Sequence, residues 1–287
     1  MASKTSKQLT ILAVVAHPHD ITHMCGTLAH HVQDGDRVTV VTMTGGTHAH
    51  NQKLIDEMRK PAEQRNLAIL QESEEAYGNR KAGEFRRVCA LFGISDARLL
   101  SYADYPWRLS EDMYQAVAEI ILEVRPDIIL THAPRQTNER GWIAYTRHAS
   151  HADCGIIVGE ASGLAAQPDV KSGRQSHPHP TVFYMGVDFP LEQSELFVDI
   201  SDQAENRIKA EILFTSQDHT PEFANKRINI GAGFMGWMSG TSYAEGWVRA
   251  RPQLARRLDL TDEEIARRDL PSVEYLARIG KLTTVGV

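Results

Sequence analysis

The stretch Leu9-Thr-Ile-Leu-Ala-Val-Val-Ala16, followed at once by His17-Pro18-His19-Asp20, decides how the chain folds. An apolar run of strand length stops at a histidine and a proline. Two more polar residues follow, and an amphipathic segment then runs from about Ile21 to Val32. This order reads as a buried β-strand, a turn and a helix. In an open α/β sheet, ligands bind where the carboxyl end of a strand hands over to a helix. Two histidines and an aspartate at such a turn are donors suited to a divalent metal. The residues alone equally allow a polar turn with hydrogen-bonded histidines.

The reading extends outward from this turn. Asp34-Gly35-Asp36 is a turn, and Arg37 to Met43 is a β-branched strand, which completes a βαβ unit with the first strand parallel to it. Thr44-Gly45-Gly46-Thr47 follows, where glycine lets the backbone approach a ligand; Gly45 is a substrate-binding candidate. His48 and His50 on the same loop read as surface histidines. Further helices are expected over Arg80 to Phe92, Glu111 to Val124, about His148 to Ala161, Ser201 to about Thr215 and Pro221 to Ile230. Strands are expected at Ala97 to Tyr102, Asp127 to Thr131, Thr181 to Val187 and Leu196 to Ile200. Residues 162–179 read as an exposed loop, and Gly231 to Gly240 as a glycine–aromatic loop. The tail from Thr261 to Lys281 reads as helix broken at Pro271. Alternating strands and helices predict a Rossmann-like α/β layer sandwich with a mostly parallel central sheet. It is expected to be one domain over residues 1–287, with about 250–287 as a helical extension.

Composition excludes several function classes. The 287 residues carry a formal net charge of −6, so no basic footprint for nucleic acid or an anionic membrane is present. No apolar run approaches the ~18 residues of a transmembrane helix. The polar N-terminus shows no secretory pattern, and Cys25, Cys89 and Cys154 are scattered, which together suggest reduced thiols in a cytoplasmic protein. Histidines cluster at 17–50 and 132–151. The second cluster holds His148-Ala149-Ser150-His151, which follows a buried strand just as His17 and Asp20 do. Two histidines and a carboxylate with open positions make a catalytic metal arrangement, for zinc or equally for iron(II).

These residues resemble a known family. Ala16-His17-Pro18-His19-Asp20 is similar to the Ala-His-Pro-Asp-Asp-Glu signature of the PIG-L/LmbE-like zinc de-N-acetylases, and His148 to His151 is similar to that family's His-Pro-Asp-His motif. Thr42-Met43-Thr44-Gly45, Glu84 with Leu91-Phe92-Gly93, Pro126-Asp127, Ser216-Gln217 and Tyr243-Ala244-Glu245 extend the resemblance in order. The resemblance implies Zn2+ held by His17, Asp20 and His151, with Fe2+ also compatible. It implies that His148 stabilises the oxyanion or protonates the leaving amine. It places His19 where the family has its catalytic base, an aspartate. Two further acids of the signatures are replaced, by Ile21 and Ser150. Arg80, Arg135 and Arg140 are candidates for an anionic substrate group.

The implied reaction is hydrolysis of an N-acetyl amide on a small, sugar-like metabolite. The first alternative is a zinc-dependent hydratase of an unsaturated carboxylic acid, as some relatives are. The second is a non-catalytic metal or metabolite binder. The expected partners are a small molecule and further copies of the chain.

Overall fold

The computed structural model describes residues 7–48, 51–134, 149–189 and 193–286. The expected first strand is β1, Thr10–Val15, in which every residue is buried. A 3-10 turn, Pro18–His23, leads into α1, Cys25–Gln33, and β2, Arg37–Thr44. Then come α2 (Gln52–Arg59), α3 (Leu67–Leu70), α4 (Glu74–Leu91), β3 (Asp96–Tyr102), α5 (Glu111–Val124) and β4 (Ile128–Thr131). The chain continues through α6 (Ala149–Ala166), β5 (Thr181–Met185), β6 (Leu196–Asp199), α7 (Ala204–Leu213) and α8 (Pro221–Ser239). It finishes with β7 (Ala244–Arg249), α9 (Asp262–Arg268) and α10 (Ser272–Ile279).

The strands form one sheet in the order β3-β2-β1-β4-β5-β7-β6. The first five are mutually parallel; β7 runs antiparallel to both β5 and β6. Alternation along β1 divides the core. Ile11, Ala13 and Val15 face a layer containing Leu28 of α1 and Phe85 and Val88 of α4. Leu12, Val14 and Ala16 face a layer containing Val117 and Ile121 of α5 and Ile157 and Val158 of α6. The expected α/β layer sandwich is the observed one. Strand order reverses at β1, which pairs with β2 on one side and β4 on the other. The crevice beyond the carboxyl ends of β1 and β4 is therefore the switch point at which such sheets bind ligands.

Several boundaries differ from expectation. The glycine–aromatic stretch from Gly231 is no loop: α8 continues through Phe234 and Trp237 to Ser239. Helix propensity disfavours its glycines, but packing overrides it. A Cβ at Gly236 would lie 2.5 Å from the Ser242 backbone, so the helix rests directly on the segment leading into β7. The α4 helix begins earlier than Arg80, because the Ser73 side chain caps it by accepting from Ala76 N. The stretch 162–166 belongs to α6, and Ser201–Gln203 is a 3-10 turn before α7. Within the expected extension, Val285 N donates to Asn225 Oδ1 at 2.8 Å and Asn229 donates to Thr283 O at 2.8 Å, which ties the tail to α8.

Glu245 of β7 locks the late strands to the early half. Its carboxylate oxygens accept from Gly26 N at 3.0 Å and Thr27 N at 2.8 Å, in the first turn of α1. A carboxylate there satisfies otherwise orphaned N–H groups and meets the positive end of the helix dipole. Arg207 Nη1, also buried, lies 3.3 Å from Glu245.

Two stability predictions follow from this packing. Glu245→Ala should destabilise by about 2 kcal/mol or more, because it strips a helix cap and strands a buried guanidinium. Urea unfolding checks it, and an unchanged midpoint contradicts the role. Gly236→Ala should cost about 1–3 kcal/mol, the range for overpacking. A position in an open loop would tolerate the same change.

Candidate metal centre

Proline at the start of the 3-10 turn fixes how β1 ends. A 3-10 helix has about three residues per turn, so positions 17 and 20 fall on one side. The Asp20 carboxylate accepts from His17 N at 2.8 Å and lies 3.3 Å from His17 Nδ1. His151, in the first turn of α6, brings Nε2 to 3.5 Å from Asp20 Oδ1. The donor atoms of His17, Asp20 and His151 all lie within 4.8 Å of one another. Two imidazoles and one carboxylate, largely buried at the switch point, fit a divalent transition ion.

A second layer of residues holds this triad. His132, directly after β4, places Nε2 3.2 Å from Asp20 and Nδ1 3.2 Å from Asp188. Its ring stacks on His151 with centroids 4.1 Å apart. Asp188 also accepts from Ala133 N at 3.0 Å. Burial pushes His132 down, but the flanking Asp188 and Asp20 overcome it and raise the imidazole to about 9. Burial likewise works to raise Asp20, yet His151, His132 and His17 hold its carboxyl well below the usual range. Outer partners of this kind fix the orientation of metal-binding side chains. His132, His151 and Asp188 form an alternative donor group within the same 4.8 Å limit. Ser150 stands 3.3 Å from His17 Nε2.

His19 goes elsewhere. Its Nε2 donates to Glu211 Oε2 at 2.9 Å, and its ring meets Phe214 and His219 edge-on at 5.0 Å. None of these partners belongs to the triad. Glu211, on α7, is fully buried. His219 Nδ1 lies 3.1 Å from Glu211 Oε2, and Arg227 Nε lies 3.3 Å from Glu211 Oε1. Burial lowers the His19 imidazole against the opposing pull of Glu211. Burial and the neighbouring Arg227 and Arg207 take His23 down to about 3. Burial works to raise Glu211, but His19, His219 and Arg227 keep it well below its ordinary range.

Two of the other candidates, Arg80 and Gly45, lie among the described residues. Arg80 is half-exposed on α4, paired with Glu72 at 2.7 Å and lying over the Tyr77 ring. A Cβ at Gly45 would touch only Thr47, so nothing in the backbone demands glycine there. Gly46 is the constrained residue: its φ is +63°, and a Cβ would sit 2.8 Å from Lys81 Nζ. Lys81 donates to Gly46 O at 2.8 Å, and burial lowers its ammonium to about 8. His148, Arg135, Arg140 and His50 lie outside the described residues. His132 was signalled in the sequence by its place after a buried strand, as His17 was. Lys81 was signalled by sharing a helix face with Tyr77, Glu84, Phe85 and Val88. Asp188 had no comparable signal.

Comparison with known proteins bears on the family and the fold. The family described as PIG-L, GlcNAc-PI de-N-acetylase, matches residues 12–162, more than half of the chain. The chain is 32% identical over 177 residues to the 1D-myo-inositol 2-acetamido-2-deoxy-alpha-D-glucopyranoside deacetylase of Thermomonospora curvata, covering 55% of this chain and 54% of that protein. The corresponding deacetylase 2 of Catenulispora acidiphila is 26% identical over 205 residues, covering 64% and 62%. The matches thus span between half and two thirds of these relatives' length. Two solved structures share the fold. The 4-carboxy-2-hydroxymuconate hydratase of Pseudomonas putida has a TM-score of 0.70 at 20% identity, covering 88% of this chain and all of that one. The N,N'-diacetylchitobiose deacetylase of Pyrococcus horikoshii has a TM-score of 0.65 at 20% identity, covering 83% and 82%. The matched region carries both the His17–Asp20 turn and His151, and the chain belongs to the PIG-L family.

Proposed function

We propose that the protein is a metal-dependent amidohydrolase that removes an N-acetyl group from a small, sugar-like metabolite. The observation that carries this reading is the convergence of His17, Asp20 and His151 at the β1/β4 switch point. The names of the similar deacetylases support the amide and the sugar-like substrate. A divalent ion in this site, zinc in this proposal, supplies Lewis acidity and a water whose pKa falls to about 7. The chain's own residues have three tasks. Asp20 and the two imidazoles hold the ion. His132 and Asp188 keep Asp20 and His151 oriented. Beside them, Lys81 and the Gly46 turn shape the wall next to Pro18.

The role of general base at position 19 is the part of the reading that the geometry reshapes. Nε2 of His19 is taken by Glu211, so accepting a proton from the reacting centre falls to Nδ1 or to another group. His148, Arg135 and Arg140 stay in the proposal as leaving-group and substrate contacts.

The proposal includes self-association and a cytoplasmic location. Phe223, Ile230, Phe234, Trp237 and Met238 make an exposed apolar stripe along α8, of the kind that marks an interaction face. All three cysteines are free and buried, which suits a reducing compartment. No helix among the described residues is long and apolar enough to cross a membrane.

The test uses a panel of N-acetylated amino sugars, with acetate and free amine measured as products. Chelation should abolish turnover and zinc or iron(II) should restore it. His17→Ala and His151→Ala should each lose at least ~100-fold in activity together with bound metal, in line with the loss of a catalytic electrostatic group. Full turnover by the chelated protein would refute the proposal. Loss of conjugated absorbance from an unsaturated acid, with no acetate released, would move the assignment to the hydratase.

A further inference from the structure

Side chains from three separate segments converge: His19 from the 3-10 turn, Glu211 from α7 and His219 from just before α8. Their donor atoms lie within 4.8 Å of one another. The triad described above uses positions 17 and 20 of the same turn; position 19 lies on a different side of it.

The hydrogen bonding of this cluster is uneven. Glu211 Oε2 has His19 Nε2 at 2.9 Å and His219 Nδ1 at 3.1 Å. His219 Nδ1 is buried and close to Glu211 Oε2 without a well-aligned hydrogen bond to it. Glu211 Oε1 is also buried without one, although Arg227 Nε stands 3.3 Å away. The carboxylate is therefore charge-paired, with hydrogen-bonding capacity left over at Oε1 and at His219 Nδ1, two groups able to turn toward a cation. The Phe214 ring packs on His19, and the half-exposed Phe223 ring lies against His219.

We propose that His19, Glu211 and His219 form a second divalent-cation site, separate from the His17–Asp20–His151 centre. Two neutral imidazoles and one carboxylate are the donor set that zinc takes with one position left open. The charges facing the cluster are those of Glu211 and Arg227, with His23 beyond, 3.2 Å from Arg227 Nη2. Arg227 is the resident cation. Its side chain is 32% exposed, so it can swing into solvent when a metal arrives. In this arrangement His19 is a ligand and not a general base, and Arg227 competes with the metal for Glu211.

The proposal is tested with zinc alone. The full-length protein is stripped with a chelator, reloaded, and assayed for bound metal by mass spectrometry; cobalt(II) replaces zinc for absorption spectra. Wild type should hold two equivalents. Glu211→Gln and His219→Asn should each hold one, with circular dichroism confirming that at least one of them folds. His17→Ala should also hold one, and its cobalt spectrum should be that of the Glu211 site. Arg227→Ala should bind the second equivalent about tenfold more tightly, the lower end of outer-shell effects on metal affinity. A merely structural Glu211 gives no such gain. If folded Glu211→Gln or His219→Asn holds as much zinc as wild type, the proposal is overturned. If instead His17→Ala leaves zinc content unchanged, the first centre fails and the second stands.

Discussion

The Asp20 carboxylate accepting from the backbone N–H of His17, three residues back, is the interaction on which the site depends. It closes the turn that stops β1. The same carboxylate, by closing it, is left facing the two imidazoles. A longer turn would carry Asp20 past the strand end. The strand supplies the rigidity: every residue of β1 is buried, between β2 and β4 and under both helical layers. The position of the candidate metal site is therefore set by the end of a fully buried strand. Sites built on such elements hold their geometry better than sites built on loops.

Buried carboxylates then connect the two halves of the chain. Glu84 on α4 accepts from Thr215 Oγ1 at 2.8 Å and from Ser216 N at 2.9 Å. Glu245 on β7 accepts from the first turn of α1, and Glu211 on α7 accepts from His19. Each of these acids has lost its water, and each is compensated by donors from a segment far away in sequence. Buried charges are tolerated only when paired in this way. The consequence is that residues 201–250, which contribute none of the three candidate ligands, fix the surroundings of the turn that contributes two.

Much of this was legible in the sequence, for physical reasons that also explain the failures. The largely apolar run at 9–16, the β-branched stretch at 37–43 and the short apolar run at 128–130 read as strands of a buried sheet, and their order gave the sheet and its switch point. Gly231 to Gly240 was misread because composition does not say what a glycine faces. Gly236 lets α8 lie on the backbone near Ser242, and that contact exists only once β7 is placed. The partners of His19 were unreadable for the same reason, since Glu211 is 192 residues away along the chain. Arg80 looked like an anion contact because a lone arginine carries no mark of the Glu72 that already holds it.

The three departures from the family signature resolve differently once placed. Ile21 is fully buried in the layer with Leu28 and Phe85, so the acid there was exchanged for core. Ser150 Oγ lies 3.3 Å from His17 Nε2, so a hydroxyl stands against a candidate ligand. At position 19 the carboxylate has in effect changed its attachment: the backbone turn carries an imidazole, and α7 carries a carboxylate 2.9 Å from it. Negative charge beside the turn is kept, but it sits deeper, under Phe214, and it is shared with His219 and Arg227. A carboxylate at position 19 would have brought its charge on the turn itself, two residues from His17. An imidazole tied to a buried glutamate directs that charge away from the turn and toward α7. The substitution therefore alters where charge is available around the turn, while His17, Asp20 and His151 still converge.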